Sequence, residues 1–194
     1  MSAALVRCGW CGDDPLYVRY HDEEWGVPSH DETHLFEMLI LEGAQAGLSW
    51  LTILKKREGY REAFAGFDAT RVARFTPARI EKLMNNPAIV RNRAKINAAV
   101  GNARAVLSIR EEFGSLDSFL WQFVGNAPQV NRVADYRRAA ARTPVSDAMS
   151  KALIARGMKF VGSTICYAFM QATGMVDDHE HGCFRKAGKP KDRR

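Results

Sequence analysis

The 194-residue chain is 46% hydrophobic and 26% charged, which excludes wholesale disorder and collagen-like structure and fits one domain, or two small lobes sharing a core. Its net charge of +6 and pI near 9.3 favour a polyanionic partner. No apolar run approaches the roughly 20 residues that cross a bilayer, and Met1–Arg7 is too short for a signal peptide's apolar region, so a cytoplasmic protein with no membrane partner is expected. In that reducing compartment Cys8, Cys11, Cys166 and Cys183 favour metal binding over disulfides.

The first stretch, Trp10 to Pro28, is polar, turn-rich and dense in aromatics: Trp10, Tyr17, Tyr20 and Trp25. From Asp31 the spacing of Leu35, Met38, Leu39 and Leu41 predicts an amphipathic helix capped by Asp31. Gly43 and Gly47 interrupt its join to a second helix that starts at Ser49 and runs through Tyr60 and Phe64 until Gly66 stops it. Asp68 caps a short helix, and Thr76-Pro77 starts another that ends before Pro87. Arg91 to about Phe113 is the longest helical pattern, with Ile96, Val100, Ala103, Val106 and Ile109 inward and basic residues outward. A short apolar helix follows over 115–124, then an Arg-rich loop from Gly125 to Pro144. Ser146 is expected to cap a helix to about Ala155, and Gly157–Gly162 turns the chain into a last helix from Ser163 to about Thr173. No useful β alternation, fixed repeat or phosphate-cradling glycine loop is visible, so the fold class is all-α.

Two clusters carry chemistry. Cys8, Cys11 and His21 near the start and His179, His181 and Cys183 near the finish offer six candidates for the four places of a tetrahedral zinc site. Ligands from both ends would tie loose termini to the domain, a structural role. Spacing does not choose among the six, and unrelated surface histidines and small buried cysteines are the other reading. Cys166 lies inside an apolar helix and reads as core. In Leu41-Glu42-Gly43-Ala44-Gln45-Ala46-Gly47-Leu48-Ser49-Trp50 a carboxylate closes an apolar stretch ahead of a tryptophan. In a base-binding pocket such a carboxylate accepts from an exocyclic amine while an aromatic stacks on the ring; a solvent-facing helix end is the alternative. Tyr17 reads as cover for the core, whereas Trp10 and Tyr20 fit either stacking or packing.

Taken together, Cys8-Gly9-Trp10, Asp14-Pro15-Leu16-Tyr17, Tyr20-His21-Asp22 with Glu24-Trp25-Gly26-Val27-Pro28, Leu41-Glu42-Gly43 through Trp50, and Phe160-Val161-Gly162 with Thr164-Ile165-Cys166-Tyr167 resemble the 3-methyladenine DNA glycosylase I family along nearly the whole chain. The resemblance implies a helix-hairpin-helix DNA glycosylase fold with a zinc-binding extension joining the termini, so a single glycosylase domain over 1–186 is expected; the basic stretch over 187–194 has no apolar pattern and is expected to be a mobile tail. It implies one structural zinc ion on Cys8, His21, His179 and Cys183, leaving Cys11 and His181 outside the set. It further implies Glu42 as the catalytic-site residue that recognises the adenine edge, Tyr20 and Trp50 as pocket walls and Trp10 as a further lining aromatic. DNA contacts would come from Gln45, Gly47 and Leu48 as a wedge filling the gap left by the flipped base, and from the hairpin residues Lys159 and Gly162. The partner would be double-stranded DNA containing alkylated bases, and the enzyme a monomer.

Methylation at N3 makes the base cationic, so the base leaves as a neutral molecule and needs little acid catalysis; binding and positioning are expected to dominate. Many helix-hairpin-helix glycosylases place an Asp after the hairpin, but this family lacks it at the usual place, and Asp177 and Asp178 follow the hairpin helix too closely to be assigned that duty. Two rival readings are a DNA-binding module without catalysis and a zinc hydrolase or deaminase using Glu180 beside His179. The second needs an open metal position, which four Cys/His ligands would close.

Overall fold

Asp14-Pro15 begins the first helix: the Asp14 side chain accepts from the Leu16 N–H, and proline fills a first-turn position whose N–H has no helical partner. A computed structural model describes residues 5–187, and this helix, α1 (Pro15–Glu23), is a difference from the turn-rich reading of that stretch. The remaining helices are α2 (Glu32–Gln45), α3 (Trp50–Ala63), α4 (Ala69–Val72), α5 (Pro77–Met84), α6 (Arg93–Phe113), α7 (Leu116–Trp121), α8 (Pro144–Ala155) and α9 (Ser163–Ala172). Asp31, Ser49, Asp68 and Thr76 each accept a backbone N–H at the expected helix start.

Helix α2 is the axis. Every residue from Leu35 to Ala44 is buried, because α3, α6, α7 and α9 pack around it. It passes straight through Gly43, where a side chain would strike the Phe160 carbonyl at 3.0 Å; the missing Cβ lets the turn before α9 lie against α2. The C-terminal carbonyls of α2 are closed from outside: the Lys95 ammonium donates to Ala44 O at 2.7 Å and Ala46 O at 2.6 Å.

The α8–α9 unit starts earlier than expected. Thr143 is the cap and Ser146 the third helical residue, and the two exchange hydrogen bonds as a capping box. The turn between the helices is anchored on α6, whose Asn102 side chain both accepts from Lys159 N and donates to Lys159 O at 2.9 Å. The loop before α8 is also more ordered than its composition suggests. Residues Gln129–Val130 form a strand, β1, that pairs in parallel with β2 (Val176–Asp177), and Val133 extends the pairing to Glu180. Such brief pairing has no alternation to reveal it, because its partners lie some 47 residues apart in the chain. One continuous core cluster runs from Cys8 to Cys183. Among the described residues no helix is long and apolar enough to cross a membrane. Ala187 donates its N–H to Asp177 Oδ2, and the rest of the expected basic tail lies outside the described residues.

Candidate active site and metal centre

A cavity of about 280 Å³ opens where the N-terminal segments meet α2, α9 and the 133–140 loop. Helix α1 supplies Tyr17 and Tyr20, α2 supplies Glu42 and Gln45, and Trp50 enters as the first residue of α3, set by the Ser49 cap. The Tyr20 and Trp50 rings are 5.6 Å apart, and Trp10 packs against Tyr17 at 5.0 Å and Trp25 at 4.9 Å. The structure thus brings Trp10, Tyr20, Glu42 and Trp50 to one cavity.

The polar groups of this wall lack partners. Trp10 Nε1 and Trp50 Nε1 are buried donors with no hydrogen-bond partner among the described residues. The Glu42 side chain is 4% exposed, and burial without a compensating charge or hydrogen bond pushes its carboxyl up to about 8. Glu42 is therefore the carboxyl of this wall that combines burial in the cavity with a strongly raised pKa, the pattern that marks a candidate binding group.

The other lining comes from later in the chain: Tyr136, Ala139 and Ala140 in the loop and Ala168 and Gln171 on α9 were not singled out in the sequence, and Asp178 beyond β2 was weighed there and set aside. Asp178 accepts hydrogen bonds from Asn131 Nδ2, the Tyr167 hydroxyl and Gln171 Nε2, each at 2.7 Å. One signal was available. Tyr167 and Gln171 stand four apart on a helix and so share a face, and Asp178 follows within reach of that face.

Cys8, His21, His179 and Cys183 come together, their ligand atoms all within 4.8 Å of one another and all four residues buried. Cys183 Sγ lies 3.4 Å from His21 Nε2 and 3.5 Å from His179 Nδ1, and Cys8 Sγ is 3.5 Å from His179 Nδ1. The far nitrogen of each ring is already engaged. His21 Nδ1 lies 2.8 Å from Asp22 Oδ1 and His179 Nε2 lies 3.2 Å from the Trp25 carbonyl, which turns the other nitrogens toward the sulfurs, although His21 Nε2 also accepts from Cys8 N–H at 3.3 Å. Backbone N–H groups of Glu180 and Arg185 point at the two sulfurs. The hydrogen bond between the thiols pushes Cys8 up and pulls Cys183 down, as expected of two sulfurs that cannot both be thiolates without a cation between them. Gly26 makes the approach possible: at φ +75°, a side chain there would meet His179 Nε2 at 2.8 Å. Cys11 is buried but outside the cluster, and His181 is exposed.

Gln45 lies at the cavity edge, and beyond it Gly47, at φ +80°, and Leu48 project into solvent, Leu48 with 41% exposure. Lys159 and Gly162 are exposed in the turn between α8 and α9, with nothing within 4 Å of where a Gly162 side chain would begin.

A mostly helical body with an aromatic cavity around a buried carboxyl, beside a buried Cys/His cluster that could hold a metal, is the class of protein the fold and site define. The chain belongs to the Methyladenine glycosylase family, whose profile matches residues 10–186. It is 52% identical to DNA-3-methyladenine glycosylase 1 of Escherichia coli (strain K12), covering 92% of this chain and 96% of that one. It is 50% identical to DNA-3-methyladenine glycosylase of Haemophilus influenzae over the same shares of the two chains. A crystal structure of 3-methyladenine DNA glycosylase I superposes with a TM-score of 0.91 at 51% identity, covering 93% of this chain and all (100%) of that one. The Staphylococcus aureus enzyme, solved for its recognition of 3-methyladenine, superposes with a TM-score of 0.91 at 38% identity, covering 96% of this chain and 100% of that one.

Proposed function

We propose that this protein is a DNA-3-methyladenine glycosylase of base-excision repair, flipping N3-methyladenine from double-stranded DNA and hydrolysing its N-glycosidic bond to leave an abasic site. The observation that carries the reading is Glu42, a buried carboxyl with no partner in an aromatic cavity. A flipped cationic base supplies what that carboxyl lacks: its positive charge favours the ionised form of Glu42, and its exocyclic amine donates to it. Tyr20 and Trp50 hold the ring plane, and Trp10 lines the pocket. Because the cation leaves as a neutral base, selection of the charged ring supplies much of the rate, and neutral adenine gains less from Glu42.

Leu48, with Gln45 and Gly47, forms the wedge that fills the stack after flipping. The turn with Lys159 and Gly162, between α8 and α9, acts as a helix-hairpin-helix element that holds phosphate through backbone N–H groups and the lysine charge. The net charge of +6 supports the polyanionic partner. Cys8, His21, His179 and Cys183 hold one zinc ion; four Cys/His donors leave no open position, so the metal secures the two ends of the chain and takes no part in bond cleavage. All four cysteines are free and buried, which suits a cytoplasmic monomer.

Incubation with methylated DNA and chromatography of the released bases tests the activity: 3-methyladenine is expected, and its absence with a folded protein would overturn the reading. Metal analysis is expected to find about one equivalent of zinc. A fully folded, metal-free protein would remove the zinc assignment without touching the activity.

A further inference from the structure

The carbonyls of Ala44, Gln45 and Ala46 close α2, and all three find partners outside the helix. Lys95, in the first turn of α6, donates to Ala44 O at 2.7 Å and to Ala46 O at 2.6 Å. Leu48 N donates to Gln45 O, the carbonyl between them, at 2.6 Å. The Lys95 ammonium is half-buried, and burial lowers its pKa with no neighbouring carboxylate among the described residues to raise it. Its own helix does not favour it either. A cation in the first turn opposes the dipole of α6, whereas at the end of α2 it complements the dipole of that helix. Lys95 is therefore placed for α2.

A lysine capping a helix end is by itself a stability device. What sets this one apart is the second bond, to a carbonyl past the last helical residue. Ala46 leaves the helix at φ −44° and ψ 113°, Gly47 follows at φ +80°, and the bond from Leu48 N to Gln45 O closes the four residues into a type II turn. Type I and type II turns differ by a flip of their central peptide, whose carbonyl here belongs to Ala46. Lys95 holds that carbonyl, so the ammonium selects the turn type, and the turn type decides where the exposed Leu48 projects. Resting on the glycosylase reading above and on the wedge it assigns to Gln45, Gly47 and Leu48, we propose that Lys95 is a positioning residue for base flipping: its ammonium fixes the 45–48 turn and so aims Leu48 at the gap in the duplex. Glu42 stands a turn before Ala46 on the same helix, so wedge and pocket keep a fixed spacing.

Lys95→Met keeps the side chain's length and removes its charge and donors. Single-turnover excision from methylated duplex DNA and affinity for free 3-methyladenine, measured on Lys95→Met, Leu48→Ala and the double variant, test the proposal. Excision by Lys95→Met is expected to be about tenfold slower at unchanged base affinity. The double variant should be no slower than Leu48→Ala, because the lysine acts through Leu48. A Lys95→Met rate within about threefold of wild type overturns the proposal. So do losses that multiply in the double variant, and so does an equal loss of base affinity, which marks general damage to α2. If Lys95→Met does not fold, Gly47→Ala decides, since a side chain disfavours the φ of +80° that the type II turn needs. Slower excision from the duplex at unchanged base affinity then supports the proposal, and an unchanged rate overturns it. Wild type that releases no base would instead fail the glycosylase reading.

Discussion

Helix α2 carries two buried carboxyls, Glu37 and Glu42, whose surroundings are opposite. Glu37 accepts from Arg57 Nε at 2.8 Å and Arg61 Nε at 2.8 Å, with His34 close by, and these partners outweigh its burial and hold it down at about 2. Glu42 has the burial without the partners and is pushed up to about 8. The same residue type on the same helix is therefore tied into the fold at one position and, in the function proposed above, meets the base at the other. Burial alone does not mark a functional carboxyl; burial without a partner does.

The largest stability effect should come from the paired end. Glu37→Ala leaves the Arg57 guanidinium short of a buried counter-charge and should cost about 3–5 kcal/mol, read by denaturant unfolding. Next, Glu42→Gln should raise stability at neutral pH. For wild type, the unfolded Glu42 carboxyl ionises near 4.5 and the folded one near 8. The folded state thus binds the extra proton between those values, and stability falls as pH rises through that window, by roughly 3 kcal/mol at pH 7. Glutamine has no such ionisation, so its advantage in melting temperature should be about 10 °C at pH 8 and absent below about pH 4. Glu37 runs the other way: its folded value is depressed, so its contribution is present above the unfolded value near 4.5 and is lost as pH falls toward 2. The smallest effect belongs to Arg61, whose side chain is 40% exposed; Arg61→Ala should cost under about 1 kcal/mol. A larger loss for Arg61 than for Glu37 would break the contrast.

How much of this was legible in the sequence depends on the distance over which each feature is decided. The caps Asp31, Ser49, Asp68 and Thr76 were readable because each bonds an N–H two or three residues away. The same signal, Asp14-Pro15, was present at α1 and was masked by the density of aromatics that follow it. Ser146 carries the right side chain for a cap but serves as the reciprocal partner of Thr143. Glu42 could be singled out by its apolar neighbours, yet whether it met a partner depended on α1, α3 and the 133–140 loop. Spacing left six candidate ligands open, and folding separates them: four meet in the interior while His181 stays outside. Asp178 was least legible, since its three donors come from positions 131, 167 and 171 and only the parallel β1–β2 pairing brings the first to the others.

The most direct test of the central claim is the single-turnover excision rate of Glu42→Gln on methylated DNA. If the unpartnered carboxyl exists to meet the cationic base, the variant folds normally and excises 3-methyladenine about 100-fold more slowly. Excision within threefold of wild type by the folded variant would contradict the account.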